Sequence, residues 1–421
     1  MKIALVTDSY LPSVDGVSHM TAGLAKELSK KHEVMVLTMG DETKTESGDW
    51  EVRRLKGACL KAYPQYRYRI RLPTGWVSNE FKNFKPDIVH VQTPMTMGAA
   101  AEAAARKAHI PMVSTFHTAI IEFIHEMIQE GNLDVNRITK SVMNFSLVKR
   151  LLSKTVELGS YPAYYSFFAA SDAVTSPSDA ITNTLLSKGI SASKIHKVPN
   201  FIELNPPRES ASYFRDKWGI DGFMALHVGR LSWEKRIHKV LETASHVKDA
   251  TFVITSKGPL DAELRKKARE MGLDNVIFTG YLPYKELYAA YDACDTFFAT
   301  SPYETFNISA AQALAFGKPI VGLAEMGLKD FIKHESNGLL TRLNNGEVKD
   351  YTTYFKRLME EPTLKRKLGR NSKRRAGDYE KGKIVQKFVD VYNSAEPNGA
   401  DRWKYVYALT LFFMLARAMR V

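Results

Sequence analysis

The stretch MALHVGRLSWEK, residues 224–235, joins an apolar run to a turn that carries two cations. The run at residues 224–228 has the composition of a buried strand, and Gly229 follows it directly. Arg230 and Lys235 lie five residues apart in the turn, where a guanidinium and an ammonium group can converge on a diphosphate. The pair by itself is more typical of a solvated basic loop, so the surrounding pattern has to decide.

Apolar runs of the same kind recur along the chain and alternate with longer helical patterns. They lie at residues 3–6, 34–37, 88–91, 112–116 and 173–176, and again at residues 224–228, 251–255, 276–279, 295–299 and 319–322. This alternation indicates an α/β fold, in which parallel sheets are covered by helices.

Two domains follow from the length of the chain and from one break in this pattern. The chain has 421 residues, which is enough for two domains of about 200 residues each. Prolines at positions 199, 206 and 207 cannot continue a helix or a central strand. We therefore predict Rossmann-like domains at residues 1–200 and 201–382, a helix at residues 383–396 that packs on the first domain, and a tail at residues 397–421.

The composition is that of a globular protein with an excess of positive charge. Hydrophobic residues make up 44% of the chain and charged residues 25%, which argues against a disordered or membrane-spanning protein. Cys59 and Cys294 have no metal-ligand spacing and the start has no signal-peptide pattern, so we expect a cytoplasmic protein without a disulfide framework. The net charge of +13 points to an anionic partner, which could be nucleic acid, a phospholipid surface or a phosphate-bearing substrate.

Other residues of interest follow predicted strands directly, where open parallel sheets bind their ligands. Gly16 lies in a loop that opens a helix, and His117 follows a strand of the first half. Glu304 lies in a turn of the second half, at the mouth of a helix that contains Gln312. Backbone N–H groups at a helix mouth can bind phosphate, and a carboxylate there can hold sugar hydroxyls. Each residue also has an ordinary structural explanation, as a turn glycine, a buried histidine or a helix-terminal charge.

Taken together, these segments resemble the retaining glycosyltransferases of family four over about residues 1–396. The segments that carry the resemblance are Asp15-Gly16, residues 114–118, residues 229–235, Gly258-Pro259, residues 278–282 and the segment around Glu304. The resemblance implies the GT-B fold, with two facing Rossmann-like domains and an extra C-terminal helix. The acceptor would belong to the first domain and a nucleotide-diphosphate sugar to the second.

The resemblance also assigns roles to individual residues. Arg230 and Lys235 would bind the donor diphosphate, Glu304 would contact the donor sugar, and His117 would face the sugar and the acceptor. These four are the predicted catalytic residues. The predicted donor-binding residues are Gly16, Arg230, Lys235, Leu282, Glu304, Phe306, Asn307, Ile308 and Gln312.

Two positions depart from the family pattern. The family commonly has a second glutamate where this chain has Gln312, and that glutamate bonds the ribose hydroxyls. An amide can still bond hydroxyls, but it loses the charge-assisted part of the contact. The segment Thr255-Ser256-Lys257-Gly258-Pro259 lacks the first glycine of the family's G-x-G-P pattern.

The expected reaction needs fixed positive charge and no cofactor. Negative charge grows on the leaving diphosphate, and cations aimed at it lower the barrier. The sequence has no D-x-D triplet, the usual acidic anchor for a catalytic divalent metal in other glycosyltransferases, so we expect a metal-independent enzyme. The resemblance implies retention of anomeric configuration through front-face attack guided by the leaving phosphate.

Three segments predict attachment to an anionic membrane. Residues 136–155 have the pattern of a basic amphipathic helix, and residues 401–421 join a short apolar run to flanking cations, as in an interfacial helix or a packed terminal helix. Residues 52–79 contain no acidic residue. The seven basic residues of this stretch are Arg53, Arg54, Lys56, Lys61, Arg67, Arg69 and Arg71. Such clusters attract anionic lipids, although a solvated basic face explains each stretch equally well.

We therefore expect a peripheral enzyme on the inner face of the cell membrane that moves a hexose to a lipid or lipid-linked acceptor. A soluble small-molecule or saccharide acceptor is the alternative within the same enzyme class. A nucleotide-sugar epimerase or a non-catalytic nucleotide-sugar binder would share the architecture. No segment resembles a known nucleic-acid-binding module, so we expect no nucleic acid partner.

Overall fold

The computed structural model describes residues 1–13, 15–59, 69–70, 75–117 and 161–397, with the backbone alone at residues 58–59, 69–70 and 161–163. The chain divides into two compact units. The first contains Met1–Val198 and the chain from Val385 onward, and the second is Pro199–Ile384. The predicted domain junction at residue 200 lies beside the observed division between Val198 and Pro199. The helix predicted at residues 383–396 corresponds to the helix Lys381–Ser394.

The first unit is built on a predominantly parallel sheet. Its strands are β1 (Lys2–Val6), β2 (Glu33–Gly40), β3 (Lys44–Ser47), β4 (Glu51–Lys56), β5 (Ala58–Cys59), β6 (Arg69–Ile70), β7 (Ile88–Val91), β8 (Met112–Thr115), β9 (Ala173–Ser176) and β10 (Ile195–Lys197). The eight-stranded sheet has the order β10-β9-β8-β7-β1-β2-β4-β3, and β5 pairs with β6 separately. Only β3 runs antiparallel in the larger sheet. The strand order reverses at β1, which pairs with β2 on one side and β7 on the other.

The helices of the first unit connect these parallel strands. The described ones are Gly16–Leu28, Trp76–Phe84, Thr96–Lys107, Tyr161–Ala170 and Asp179–Ser187, with a short 3₁₀ turn at Ala192–Lys194.

The second unit has a fully parallel six-stranded sheet. Its strands are β11 (Phe223–Val228), β12 (Ala250–Thr255), β13 (Val276–Gly280), β14 (Thr296–Ala299), β15 (Ile320–Leu323) and β16 (Gly338–Thr341). Their order is β13-β12-β11-β14-β15-β16. This is the order of a doubly wound nucleotide-binding fold, with the reversal between β11 and β14.

Helices cover both faces of this sheet. They are Ala211–Trp218, Ile237–His246, Asp261–Glu270, Tyr284–Ala293, Ile308–Ala315, Leu328–Phe331, Glu347–Glu360, Pro362–Ala376 and the start of Lys381–Ser394. Short 3₁₀ turns lie at Trp233–Lys235 and Gly377–Tyr379.

Neighbouring residues of the second sheet point into two different hydrophobic cores. Phe297 belongs to the core on one face, and Phe298 belongs to the core on the other. Side chains alternate between faces along a strand, so a strand covered on both sides must be apolar throughout. β14 and β15 are buried at every position. The continuous apolar runs in the sequence follow from this double burial.

In the first unit, His90 connects the sheet to the returning helix. Its Nδ1 lies 2.7 Å from the hydroxyl of Tyr392, and its Nε2 lies 2.6 Å from the hydroxyl of Thr115. His90 is completely buried, and burial lowers its pKa to about 3. The imidazole is therefore neutral at physiological pH and acts as a hydrogen-bonding bridge.

The predicted α/β class with parallel sheets is confirmed, and the strand bounds differ in detail. The strand predicted at residues 112–116 ends at Thr115. Sequence reasoning missed β3, β4, β5, β6, β10 and β16. β10 is a three-residue edge strand with one apolar residue, and β4 has only two apolar residues, Val52 and Leu55, separated by two arginines. Neither has the long apolar run on which the prediction relied.

A close backbone approach at Gly369 gives a test of the packing of helix Pro362–Ala376. A Cβ atom at Gly369 would lie 2.5 Å from the carbonyl oxygen of Gly317, whereas a Cβ at Gly377 would meet nothing within 4 Å. We expect Gly369→Ala to destabilise the protein by about 1–3 kcal/mol, because the clash exceeds the better helix propensity of alanine.

The matched control is Gly377→Ala, for which unfolding by chemical denaturant should move little. Equal midpoints for the two variants would contradict the assigned packing.

Candidate active site

The turn after β11 holds both predicted phosphate-binding cations, and each contacts a carboxylate of this unit. The Arg230 guanidinium donates to Ser232 Oγ at 3.0 Å and to Glu234 Oε1 at 2.6 Å. Burial alone would raise the pKa of Glu234, but the charge of Arg230 and the hydrogen bond from Ser232 lower it. Glu234 is therefore ionised, and it orients the guanidinium.

Lys235 ends the 3₁₀ turn Trp233–Lys235 and forms an ion pair with Glu304. Glu304 follows β14, so the reversal of strand order places the two loops side by side. The side chains of Lys235 and Glu304 are 23% and 19% exposed, which leaves the pair in reach of a ligand. Beside them the rings of Trp233 and Tyr303 stack at 5.9 Å.

The loop after Glu304 leads into helix Ile308–Ala315. Asn307 has a left-handed backbone with φ of 68°, and its side chain accepts from the N–H of Ala310 at 3.0 Å. Phe306 is 1% exposed and packs against Phe331 and Tyr379. Its ring belongs to the core, so only the backbone of Phe306 is suited to the phosphate contact predicted for it.

Gln312 lies on the same helix, and its amide is bonded to the backbone of Glu203. The Gln312 oxygen accepts from the N–H of Glu203 at 3.0 Å, and the Gln312 nitrogen donates to the carbonyl of Glu203 at 2.7 Å. The side chain is 7% exposed. A carboxylate could accept the first of these bonds but could not donate the second, which gives a structural reason for glutamine at this position.

The segments after β12 and β13 complete this edge of the sheet. Ser256 has a φ of 89°, in the left-handed region that favours glycine, at the place where the family pattern has its first glycine. Its N–H donates to the carbonyl of Gly280 at 2.7 Å. Leu282 is 6% exposed and packs in the core, so a nucleobase contact there would use its backbone.

In the first unit, polar residues gather at the carboxyl ends of β1, β7 and β8. Asp15 caps the helix that begins at Gly16, and its carboxylate accepts from the N–H of Ser18 at 2.9 Å and from Ser9 Oγ at 2.6 Å. The positive end of this helix therefore already carries a carboxylate. The donor-binding role of Gly16 stays a prediction.

His117 of this unit is half-buried. Its Nε2 atom lies 2.7 Å from the side-chain oxygen of Gln92. The amide oxygen can only accept, so His117 donates from Nε2. Burial lowers the pKa of His117 to about 4, against an opposing effect of Asp15. The imidazole is thus neutral, with its basic lone pair on Nδ1.

Sequence reasoning missed Gln92, although it directly follows β7 and the rule for strand ends applies to it. Gln92 is 2% exposed, and its amide nitrogen has no hydrogen-bond partner among the residues that the structure describes. Its side-chain oxygen accepts from His117, which makes Gln92 part of the polar surroundings of that imidazole.

Two family models match the chain. Residues 14–205 match the model described as Glycosyltransferase Family 4, and residues 213–375 match that of Glycosyl transferases group 1. The chain belongs to this glycosyltransferase family. It is an enzyme that uses a nucleotide sugar. The predicted family and the predicted activity are confirmed.

Relatives of this glycosyltransferase cover most of its length. An alpha-monoglucosyldiacylglycerol synthase of Streptococcus pneumoniae is 28% identical over 354 residues, which is 81% of this chain and 75% of the relative. A GDP-mannose-dependent alpha-mannosyltransferase of Mycobacterium tuberculosis is 24% identical, over 81% of this chain and 83% of the relative.

Solved structures share the fold of the glycosyltransferase. The sucrose-phosphate synthase from Thermosynechococcus elongatus has a TM-score of 0.73 at 18% identity, and the alignment covers 94% of this chain and 98% of that one. Anabaena Alr3699/HepE in complex with UDP and glucose has a TM-score of 0.70 at 17% identity, and the alignment covers 94% of this chain and 100% of that one. The predicted GT-B fold is confirmed.

The structure thus brings Arg230, Lys235 and Glu304 together at one sheet edge of the glycosyltransferase and buries Gln312 against Glu203. The assigned roles of these residues, and of His117, stay predictions. Among the described residues, no group of three His, Cys, Asp or Glu side chains could hold a metal ion. Metal independence stays an expectation.

The first basic stretch is less available to an anionic surface than its sequence suggests. Arg53 forms ion pairs with Glu51, at 2.8 Å, and with Glu80. Arg54 pairs with Glu46 at 3.1 Å. Glu51 lies on the same strand as Arg53, Glu46 on the neighbouring β3 and Glu80 on helix Trp76–Phe84, and all three lie outside the acid-free stretch.

Lys56 is exposed, and the remaining predicted membrane contacts lie outside the described residues. They are Lys61, Arg67, Arg71, the side chain of Arg69, the helix predicted at residues 136–155 and the tail at residues 401–421. None of the helices that are described is long and apolar enough to cross a bilayer.

The contact between Gln312 and Glu203 predicts that Gln312→Glu destabilises the glycosyltransferase. A carboxylate would leave the Glu203 carbonyl without its donor and would place negative charge beside it, at a cost of about 1–3 kcal/mol. Burial beside a carbonyl raises the pKa of the new carboxyl group, so the destabilisation should be larger at neutral pH than in acid. Denaturant unfolding across pH measures both effects.

Gln312→Met is the matched variant that removes both bonds without adding charge, and its loss should not depend on pH. If Gln312→Glu instead left stability unchanged and tightened nucleotide binding, the amide would serve the ribose and the contact with Glu203 would be incidental.

The pairing of Gln92 with His117 predicts a change in the pH dependence of transfer. With a pKa of about 4, His117 should cause no change in rate between about pH 5 and pH 8. Gln92→Glu places a carboxylate against Nε2–H, which favours the imidazolium and raises the pKa of His117. The acid-side fall in kcat/KM should therefore move to higher pH.

Gln386→Glu adds the same charge at an exposed position of the same unit and should leave the profile unchanged. If Gln92→Glu and the wild type gave identical pH profiles, the prediction that the neutral form of His117 supports transfer would be wrong.

Proposed function

We propose that this glycosyltransferase transfers a hexose from a nucleotide-diphosphate sugar to a lipid acceptor at an anionic membrane surface, with retention of anomeric configuration. The observation that carries the donor part is the ion pair of Lys235 with Glu304, with Arg230 beside it, at the carboxyl edge of the second sheet. Lys235 and Arg230 suit the anionic phosphates of a sugar diphosphate, and Glu304 suits the hydroxyl groups of its sugar.

Binding of such a donor would exchange partners within the cluster. The diphosphate oxygens would bond to Lys235 and Arg230, and Glu304 would turn from Lys235 to the sugar hydroxyls. Lys235 would exchange a carboxylate for the anionic diphosphate, and Glu304 would exchange an ammonium group for hydroxyl donors, so both would keep hydrogen-bond partners. Glu234 stays with Arg230 and holds its guanidinium toward the phosphates.

In the transfer step the bond between sugar C1 and the diphosphate oxygen breaks, and a bond from the acceptor oxygen to C1 forms. The proton of the acceptor hydroxyl passes to the leaving diphosphate. Arg230 and Lys235 stabilise the charge that develops on that diphosphate, and removal of such a contact costs about 1.5–3 kcal/mol, or a tenfold to hundredfold loss of rate. We expect no metal requirement, because these cations already neutralise the leaving group.

The lipid acceptor is supported by the relatives that the chain resembles. Alpha-monoglucosyldiacylglycerol synthases of Streptococcus pneumoniae and of Acholeplasma laidlawii both align over most of this chain. Their names describe a sugar attached to a lipid in the alpha configuration. A peripheral position on the inner face of the membrane fits such an acceptor and the net charge of +13.

The test is a transfer assay with a panel of nucleotide sugars and with diacylglycerol in mixed vesicles. The expected result is release of nucleoside diphosphate together with an alpha-linked glycolipid, identified by mass spectrometry and by NMR of the anomeric proton. Lys235→Met and Arg230→Met should each lower the rate at least about tenfold. Lys266→Met, at an exposed position of the same unit, should not.

Each rival function gives a different result in this assay. Turnover that requires a water-soluble saccharide or small molecule would assign a soluble acceptor. An epimerised nucleotide sugar without transfer would assign an epimerase. Nucleotide-sugar binding without any turnover would leave a non-catalytic binder.

A further inference from the structure

Helix Pro362–Ala376 of the second unit is the most strongly cationic element described, and no role predicted above uses it. In fifteen residues it has no acidic side chain. Its basic residues are Lys365, Arg366, Lys367, Arg370, Lys373, Arg374 and Arg375. A count of charges along the sequence would have found it, because this run is denser than either basic stretch of the first unit.

One side of this cationic helix packs against the unit. Leu368, Gly369, Ser372 and Ala376 are buried. Ser372 Oγ donates to the carbonyl of Asn337 at 3.0 Å. The helix is therefore fixed in place, and its other side chains have defined directions.

The packing contacts place the cationic helix at the amino edge of the sheet. Lys365 pairs at 2.7 Å with Asp295, which precedes β14, and Asn371 donates at 2.7 Å to the carbonyl of Ser336, which precedes β16. Arg230, Lys235 and Glu304 follow strands and lie at the carboxyl edge. The cationic helix is thus at the opposite edge from the donor cluster, and its charges do not serve the donor phosphates.

The outer side of the helix presents a continuous cationic stripe. Arg366, Arg370 and Arg374 recur every fourth residue with Lys367 beside them, and all four are exposed. In the described part of the chain none of the four lies within 4 Å of a carboxylate, whereas the flanking Lys365 and Arg375 are paired with Asp295 and Asp378.

Helix stability does not explain the stripe. Like charges four residues apart repel, which applies to Arg366 with Arg370 and to Arg370 with Arg374. Only Lys373, Arg374 and Arg375, in the last turn, complement the helix macrodipole. The arrangement is unfavourable for the isolated protein and favourable against a polyanion.

We propose that the cationic stripe docks the enzyme on an anionic lipid surface, an inference that rests on the proposed transfer to a membrane lipid. A row of long, exposed cations without a carboxylate within 4 Å among the described residues can contact several lipid phosphates at once. The stripe has no aromatic residue to stack on bases, so its chemistry favours a bilayer over single-stranded nucleic acid. The attraction is screened by salt.

The experiment compares full-length proteins in sedimentation with phosphatidylcholine vesicles that contain increasing fractions of phosphatidylglycerol. The test variant combines R366Q, K367Q, R370Q and R374Q. The control combines K248Q, K266Q, R269Q and K349Q, which removes the same charge from exposed positions of the same unit. We expect the test variant to bind anionic vesicles at least about tenfold more weakly than the control variant, and the difference to shrink in high salt.

A second variant, R366K with R370K and R374K, keeps the charge and should bind vesicles like the wild type. Thermal unfolding of all variants shows whether each is folded. Equal weakening in the test and control variants would assign the effect to net charge and overturn the proposal. A test variant that keeps vesicle binding but loses binding to a DNA oligonucleotide would overturn it in favour of nucleic acid.

Transfer to diacylglycerol in neutral detergent micelles separates this inference from the proposed function. The test variant should be as active there as the wild type, because micelles without charge do not need the stripe. If the wild type itself forms no glycolipid in micelles or vesicles, the proposed function fails. If the wild type forms it and the test variant still binds and glycosylates anionic vesicles normally, only the docking surface fails.

Discussion

The reversal of strand order between β11 and β14 is the constraint on which the candidate site depends. The chain adds strands to one side of β11, then crosses over and places β14 on its other side. The loops that follow these two strands therefore meet, although Lys235 and Glu304 are 69 residues apart. Their ion pair is a direct consequence of topology, and it gives the donor edge both signs of charge in one cluster.

The same sheet separates two kinds of cation. Those at the carboxyl edge, Arg230 and Lys235, are held by Glu234 and Glu304 and can exchange these partners for a ligand. Those on the outer side of helix Pro362–Ala376 are exposed, and among the described residues none of them lies within 4 Å of a carboxylate. A fixed, partly buried pair suits a small substrate, whereas long solvated side chains suit an extended surface. Net charge alone does not make this distinction.

Two buried amides show how the partner decides the meaning of a polar residue. The amide of Gln312 donates to and accepts from the backbone of Glu203, so it fixes the segment that begins the second unit. Gln92 accepts from His117 through its side-chain oxygen, and its nitrogen has no partner among the described residues. The first arrangement fixes a backbone segment. The second holds the neighbouring imidazole in one tautomer.

The sequence by itself determined the α/β class, the positions of most buried strands and the turn with Arg230 and Lys235, because apolar runs and turn residues act locally. It did not reveal β10 or β4, whose short or polar sequences become strands only by pairing with a neighbour. Only the tertiary structure decided that Lys235 meets Glu304, that Gln312 faces Glu203 and that Arg53 is neutralised by Glu80. Each of these contacts joins residues distant in sequence, and strand order and helix packing bring them together.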